Sequence, residues 1–130
     1  MDKARITGIH TVGIPVADQE RALRFYVEEL GFETRLDRPT GNGQRWIEVA
    51  PRGAQVTLAL MAATHEAPAG VETGIRLITE DADAMHGHLR SHAVEAGEVL
   101  RWPGVPPMFA FRDPDGNGLE IIERAPVAAR

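Results

Sequence analysis

Apolar and polar positions fall into the same order of elements twice along the chain. Residues 6–16, ITGIHTVGIPV, are rich in β-branched side chains and close on Pro15 and Asp18, which predicts a strand. Asp18 then stands where a carboxylate can accept the free N–H groups of a first helical turn. Leu23, Val27 and Leu30 come next at helical spacing with Ala22 and Tyr26 beside them, and Gly31 supplies the left-handed residue that ends a helix. Three strands are expected after it, over 32–37, 44–50 and 55–61, separated by the turn signals PTGNG and PRG. The second half repeats the plan. A strand is expected over 74–79, then a helix capped by Asp81 with Ala82, Met85 and Leu89 on its apolar stripe, then strands over 94–101, 108–112 and 119–123. The order is βαβββ twice, in modules of about residues 5–65 and 71–125, joined by EAPAG at residues 66–70.

This order predicts an α+β fold of two strongly bent mixed sheets, each with a helix on its convex face and side chains of the opposite parity turned into a shared cleft. On the last strand, packing of Leu119 and Ile121 on a helix would turn Glu120 to the cleft. On the first, Ile9 and Thr11 share one face and Gly8, His10 and Val12 the other. In RWIEVA, Ile47 and Val49 on the helix side would leave Trp46 and Glu48 on the cleft side.

Composition narrows the function classes. The 130 residues are 43% hydrophobic and 25% charged, as expected of one globular domain. The net charge of −5 and the lack of a basic run argue against nucleic acid as a partner. There is no cysteine, hence no disulfide, thiolate metal site or cysteine nucleophile, which fits a reducing compartment. The first ten residues lack the apolar core of a signal peptide, and no run reaches the ~18 apolar residues of a membrane span, so a cytoplasmic protein without membrane contact is expected.

Two blocks carry a resemblance to a known family: GIHTVGIPVADQERALRFYVEELGFE at residues 8–33 and FRDPDGNGLEIIE at residues 111–123. With the paired βαβββ order they resemble the vicinal oxygen chelate superfamily, which includes glyoxalase I, bleomycin-resistance proteins, fosfomycin-resistance enzymes and extradiol dioxygenases. The resemblance implies the glyoxalase/bleomycin-resistance/dioxygenase fold, a homodimer, and a small organic molecule in the cleft. In metal-dependent members four strand positions supply ligands. Here they fall at His10, Thr57, Gly74 and Glu120, with offsets of 64 residues from His10 to Gly74 and 63 from Thr57 to Glu120. Gly74 has no side chain to ligate and Thr57 is a poor ligand, so half of a metal site remains.

Two functions are favoured by these residues over a non-catalytic interaction protein. One is a metal-independent binder of a small molecule. The other is a glyoxalase-like lyase, isomerase or dioxygenase in which His10 and Glu120 hold Zn, Ni, Mn or Fe with a third ligand such as His65 or Glu48. In either case His10 and Glu120 are the candidate catalytic or polar pair, and without a metal a His10–Glu120 hydrogen bond is an equal expectation. Trp46, Glu48, Thr57, Arg76 and Trp102 are the candidate ligand contacts. Arg76 would bind an anion or pair with Glu120 or Glu48, the pairing being favoured. DPDGNG, residues 113–118, reads as turn chemistry that positions the last strand. RWPGVPPMFAF, residues 101–111, reads as a loop that would form a lip. His88 and His92 lie four apart on the second helix and could share a metal, but no third ligand is visible from sequence, and a solvated helix flank is the plainer reading.

Overall fold

The computed structural model describes residues 3–125. The first module comprises β1 (Thr11–Val16), α1 (Gln19–Arg24) running into a π-helical turn (Phe25–Glu29), β2 (Glu33–Pro39), β3 (Arg45–Ala50) and β4 (Thr57–Ala62). The second comprises β5 (Glu72–Thr79), α2 (Ala82–Ser91), β6 (Leu100–Trp102), β7 (Val105–Arg112) and β8 (Gly118–Glu123). Each module makes a four-stranded mixed sheet, ordered β1-β4-β3-β2 and β5-β8-β7-β6. In both, the first strand runs parallel to the last, β1 with β4 and β5 with β8, and the other pairs are antiparallel. The α+β class and both βαβββ repeats are as the sequence predicts.

The caps act as expected. Asp18 Oδ1 accepts from Arg21 N and Asp81 Oδ1 from Ala84 N, each at 3.0 Å. Gly31 takes a φ of +76° just after the first helical segment, a conformation costly for a residue with a Cβ. The apolar stripe of that segment is displaced from its expected line. Ala22, Phe25 and Tyr26 are buried, whereas Leu23, Val27 and Leu30 only flank the core. The π turn widens the helix there and rotates the residues after it.

Apart from shifts of one to three residues at other strand ends, three differences from the sequence expectation stand out. The first strand begins at Thr11, because its partner β4 begins at Thr57 and no strand among the described residues lies beyond to receive residues 6–10. Ile6 and Ile9 are consequently exposed, at 92% and 70%. The strand expected over 94–101 shortens to Leu100–Trp102. Residues 95–97 run beside β7 only through Gly97 N to Ala110 O, Arg112 N to Glu95 O and one isolated bridge, Ala96 to Phe111. The Pro-rich stretch is no loose lip: Trp102 pairs with Val105 across a tight hairpin in which Gly104 has a φ of +80°.

One core serves both modules. Ile14, Val16, Ile47, Val49, Leu58 and Leu60 come from the first sheet, Phe109, Phe111, Leu119 and Ile121 from the second. Phe25 meets Phe111 across the divide, with ring centroids 6.4 Å apart. The DPDGNG turn fastens the junction. Asp115 Oδ1 accepts from Ala17 N and from Arg21, both at 2.8 Å, while Asn117 reaches Pro15 O. Tyr26 donates to Asp113 Oδ2 at 3.0 Å. Burial, reinforced by Asp113, pushes the Tyr26 phenol far up, so it stays a protonated donor. Tyr26→Phe is expected to cost about 1–2 kcal/mol in chemical denaturation, since Asp113 loses one donor while the ring still fills its place. No helix among the described residues is long and apolar enough to cross a membrane.

Candidate functional site

Alternation on the first sheet sets the candidate site. Val12 and Ile14 stand beside Leu58 and Leu60 in the parallel register, and all four belong to or flank the core, so this parity faces the helices. The opposite parity presents Thr11 and Thr57, register partners, together with Trp46 and Glu48 from β3. Trp46 and Glu48 thus take the side expected of them. Thr11 and Val12 take opposite faces, as the sequence expects, with Val12 packed toward the core and Thr11 looking out. His10 precedes β1, is not bound by its alternation, and its ring still reaches Glu48.

These residues form a satisfied carboxylate site. Glu48 is 4% exposed. Its Oε1 accepts from Thr57 Oγ1 at 2.8 Å, and its Oε2 from Trp46 Nε1 at 2.8 Å. His10 Nε2 lies 3.2 Å from the same Oε2. The Thr57 and Thr11 hydroxyls lie 2.7 Å apart. The Trp46 indole hydrogen bond holds the Glu48 carboxyl below its usual range; burial opposes this, and Thr57 and His10 add to it. Glu48 is therefore an ionised acceptor at neutral pH. A carboxyl depressed in the fold contributes stability that is fully present above its unfolded value, near 4.5, and is lost as pH falls through the lower folded value. Urea unfolding of wild type and Glu48→Gln should differ by a constant amount at neutral pH, and the difference should shrink as pH falls below about 4.5.

The second sheet contributes a separate half. Arg76 Nε donates to Glu120 Oε1 at 2.8 Å, side by side in the parallel β5–β8 register. The sequence favours a pairing of Arg76 with Glu120 or Glu48, and Glu120 is the partner. Leu119 and Ile121 are buried, and Glu120 points away from them, as alternation requires. Gly74 sits in an irregularity of β5 with a φ of +73° and no atom within 4 Å of where a Cβ would stand. A cavity of about 190 Å³ opens there between Glu72, Gly74, Arg76 and Glu120. Trp102 lies on β6, the outer edge of this sheet, 55% exposed and away from Trp46.

Within one chain the expected His10–Glu120 hydrogen bond is replaced by two other pairs. The first sheet places β3 next to β4 and β4 next to β1, which brings Glu48 to His10. Glu120 belongs to the other sheet and is taken by Arg76. Among the described residues no contact joins His10 to Glu120, and His65 is exposed just before the linker. The His10 side chain is itself 77% exposed, open toward whatever lies across from it. Thr11 was not singled out from sequence. The burial of Ile14 and Val16, both of even number, was the signal that puts odd-numbered Thr11 on the open face.

The four positions that the resemblance assigns to a metal are His10, Thr57, Gly74 and Glu120. That donor set does not fit. Thr57 is bound to Glu48, Glu120 is bound to Arg76, and Gly74 is held in a left-handed conformation that a ligating side chain would strain.

A seam between the modules adds apolar surface. There Val12, Val56 and Leu58 face Ile75 and Ile78 around a cavity of about 530 Å³ with Arg76 among its lining residues.

Comparison with known proteins places this architecture. The family model for the Glyoxalase/Bleomycin resistance protein/Dioxygenase superfamily matches residues 8–121. The chain is 32% identical to the uncharacterised protein YetH of Bacillus subtilis, over 86% of this chain and 94% of that one. It superposes with a TM-score of 0.82 on TnmS3, an antibiotic binding protein from Streptomyces sp. CB03234, at 34% identity, covering 92% of this chain and 98% of that one. A superfamily member from Sphaerobacter thermophilus gives a TM-score of 0.85 at 36% identity, with the same coverage of 92% and 98%. With two βαβββ sheets, an open polar face and this agreement over nearly its whole length, the chain belongs to the glyoxalase/bleomycin resistance protein/dioxygenase superfamily.

Proposed function

We propose that this protein binds a small organic molecule without a metal, on the face formed by Trp46, Glu48, Thr57 and Thr11. The observation that carries the reading is the Trp46–Glu48 hydrogen bond: it fixes an indole, 37% exposed, beside a buried, ionised acceptor. A rigid aromatic wall with a few aimed polar groups suits an aromatic ligand bearing a hydrogen-bond donor or a cationic group. His10 supplies a further polar contact at the rim. The similarity to an antibiotic binding protein supports the same class of ligand.

The protein acts as a homodimer in this reading. Ile6, Ile9, Val56 and Ile78 are exposed apolar residues available to a second copy. The Arg76–Glu120 half, with the cavity at Gly74, then faces the Trp46–Glu48 half of the partner, and Trp102 lies outside the site. Sedimentation velocity checks the dimer.

Binding is tested by quenching of tryptophan fluorescence, informative because Trp46 and Trp102 are the only two tryptophans. Bleomycin and a panel of planar aromatic antibiotics are titrated with and without EDTA. Saturable quenching that EDTA leaves unchanged supports the reading. Stoichiometric Zn, Ni, Mn or Fe that disappears in His10→Ala would overturn the metal-free reading and leave the metal-dependent lyase, isomerase or dioxygenase alternative.

A further inference from the structure

Three metal-ligating side chains meet away from the Trp46–Glu48 face, where the helical segments of the two modules end. Glu29 closes the π turn of the first module. His88 lies in the last turn of α2 and His92 is its C-cap, four residues on. One donor atom from each of the three lies within 4.8 Å of the others. Tetrahedral coordination with bonds of ~2.0–2.2 Å puts donors about 3.3–3.6 Å apart, so small side-chain rotations close the set.

Two further observations mark this cluster as more than an ion pair on a helix flank. The Glu29 Oε2 atom is buried and has no hydrogen-bond donor, although His92 Nδ1 stands only 2.8 Å away. The imidazole is close but not aligned to donate, which leaves a desolvated carboxylate oxygen unsatisfied. His88 Nε2 lies 2.9 Å from the backbone carbonyl oxygen of Glu29. With a proton donated there, the other ring nitrogen keeps its lone pair, the arrangement in which histidine ligands are oriented by a carbonyl. The His88 and His92 rings lie 4.5 Å apart between centroids. His92 and Glu29 also line a cavity of about 450 Å³ with Phe25, Arg112 and Asp113, where water can complete a coordination shell.

We infer that Glu29, His88 and His92 form a divalent-metal site, separate from the ligand face, that clamps the two modules together. Two imidazoles and one carboxylate select Zn²⁺ or a similar borderline ion over Mg²⁺ or Ca²⁺. The ligands come from both modules, so the ion binds the assembled fold and not the unfolded chain, and it raises stability by mass action. The inference does not rest on the proposed small-molecule site.

The test uses the full chain, freed of metal with EDTA and then dialysed against ZnCl₂ or MgCl₂. Bound metal is counted by mass spectrometry and the unfolding temperature is recorded. The expected result is one Zn²⁺ per chain at this site, a rise of several degrees with Zn²⁺, and none with Mg²⁺. Glu29→Gln and His88→Gln should each weaken Zn²⁺ binding by roughly 10-fold or more, and His10→Ala should leave it unchanged. Each variant is compared with its own metal-free form, so a structural cost of the substitution does not imitate loss of the ion. If Glu29→Gln does not fold, His88→Gln decides. Absence of bound Zn²⁺ in the wild type, or full retention in His88→Gln, overturns the inference.

Discussion

Asn117→Ala is expected to destabilise the protein by about 3–5 kcal/mol, a large effect for a polar substitution. Asn117 is fully buried. Its Oδ1 accepts from Gly70 N at 2.9 Å and Val71 N at 3.0 Å, which pins the linker. Its Nδ2 donates to Pro15 O at 2.8 Å and to Asp113 Oδ2 at 3.0 Å, which ties the first strand to the turn before the last. Truncation takes the partner from two N–H donors and one carbonyl on exposed or partly buried backbone, at roughly 1–3 kcal/mol for each group left unpaired, and partial hydration keeps the total below the simple sum. Against a typical total of about 5–15 kcal/mol, that is a large share. Asn117→Asp separates the two roles: it keeps the acceptor for Gly70 and Val71 but sets a second carboxylate against Asp113, and it too should destabilise. Urea denaturation of the three proteins measures both effects. A loss under about 1 kcal/mol in Asn117→Ala would mean that the junction does not depend on this side chain.

Trp46→Ala is expected to weaken small-molecule binding by about 2 kcal/mol, roughly 30-fold. The indole offers the largest rigid apolar surface of the open face, and its N–H already belongs to Glu48, so it loses little freedom when a ligand stacks on it. Trp46→Phe keeps an aromatic wall but frees Glu48 from its donor, and should retain an intermediate affinity. Trp102→Phe should leave affinity unchanged, because Trp102 lies at the far edge of the other sheet. It also leaves Trp46 as the single fluorophore for the titration. Equal affinity in wild type and Trp46→Ala would remove Trp46 from the binding site.

The DPDGNG turn illustrates how much a local pattern carries. Its residues announce a turn because Asp, Pro and Gly fix backbone angles through short-range sterics, and Gly116 does take a positive φ, of 82°. That Asn117 and Asp115 of this turn hold the first strand and first helix is a contact across some hundred residues of chain, which local rules do not contain. His88 and His92 illustrate the same limit. Their spacing puts both on one side of a helix, whereas their third companion, Glu29, arrives from the other module through tertiary packing alone.

The sequence by itself determined the two βαβββ modules, both helix caps, the parity that buries Ile47, Val49, Leu119 and Ile121, and the family. Each stems from short-range backbone preference or from the period of a strand or helix. Only the tertiary structure decided the partners of the charged groups: Glu48 for His10, Arg76 for Glu120, Asp113 for Tyr26. It also decided that β1 starts at Thr11 and shows Thr11 on its open face. The physical reason is that strand order and register set which side chains stand opposite one another. Those are fixed by long-range pairing, where a start displaced by one residue exchanges the two faces of a strand.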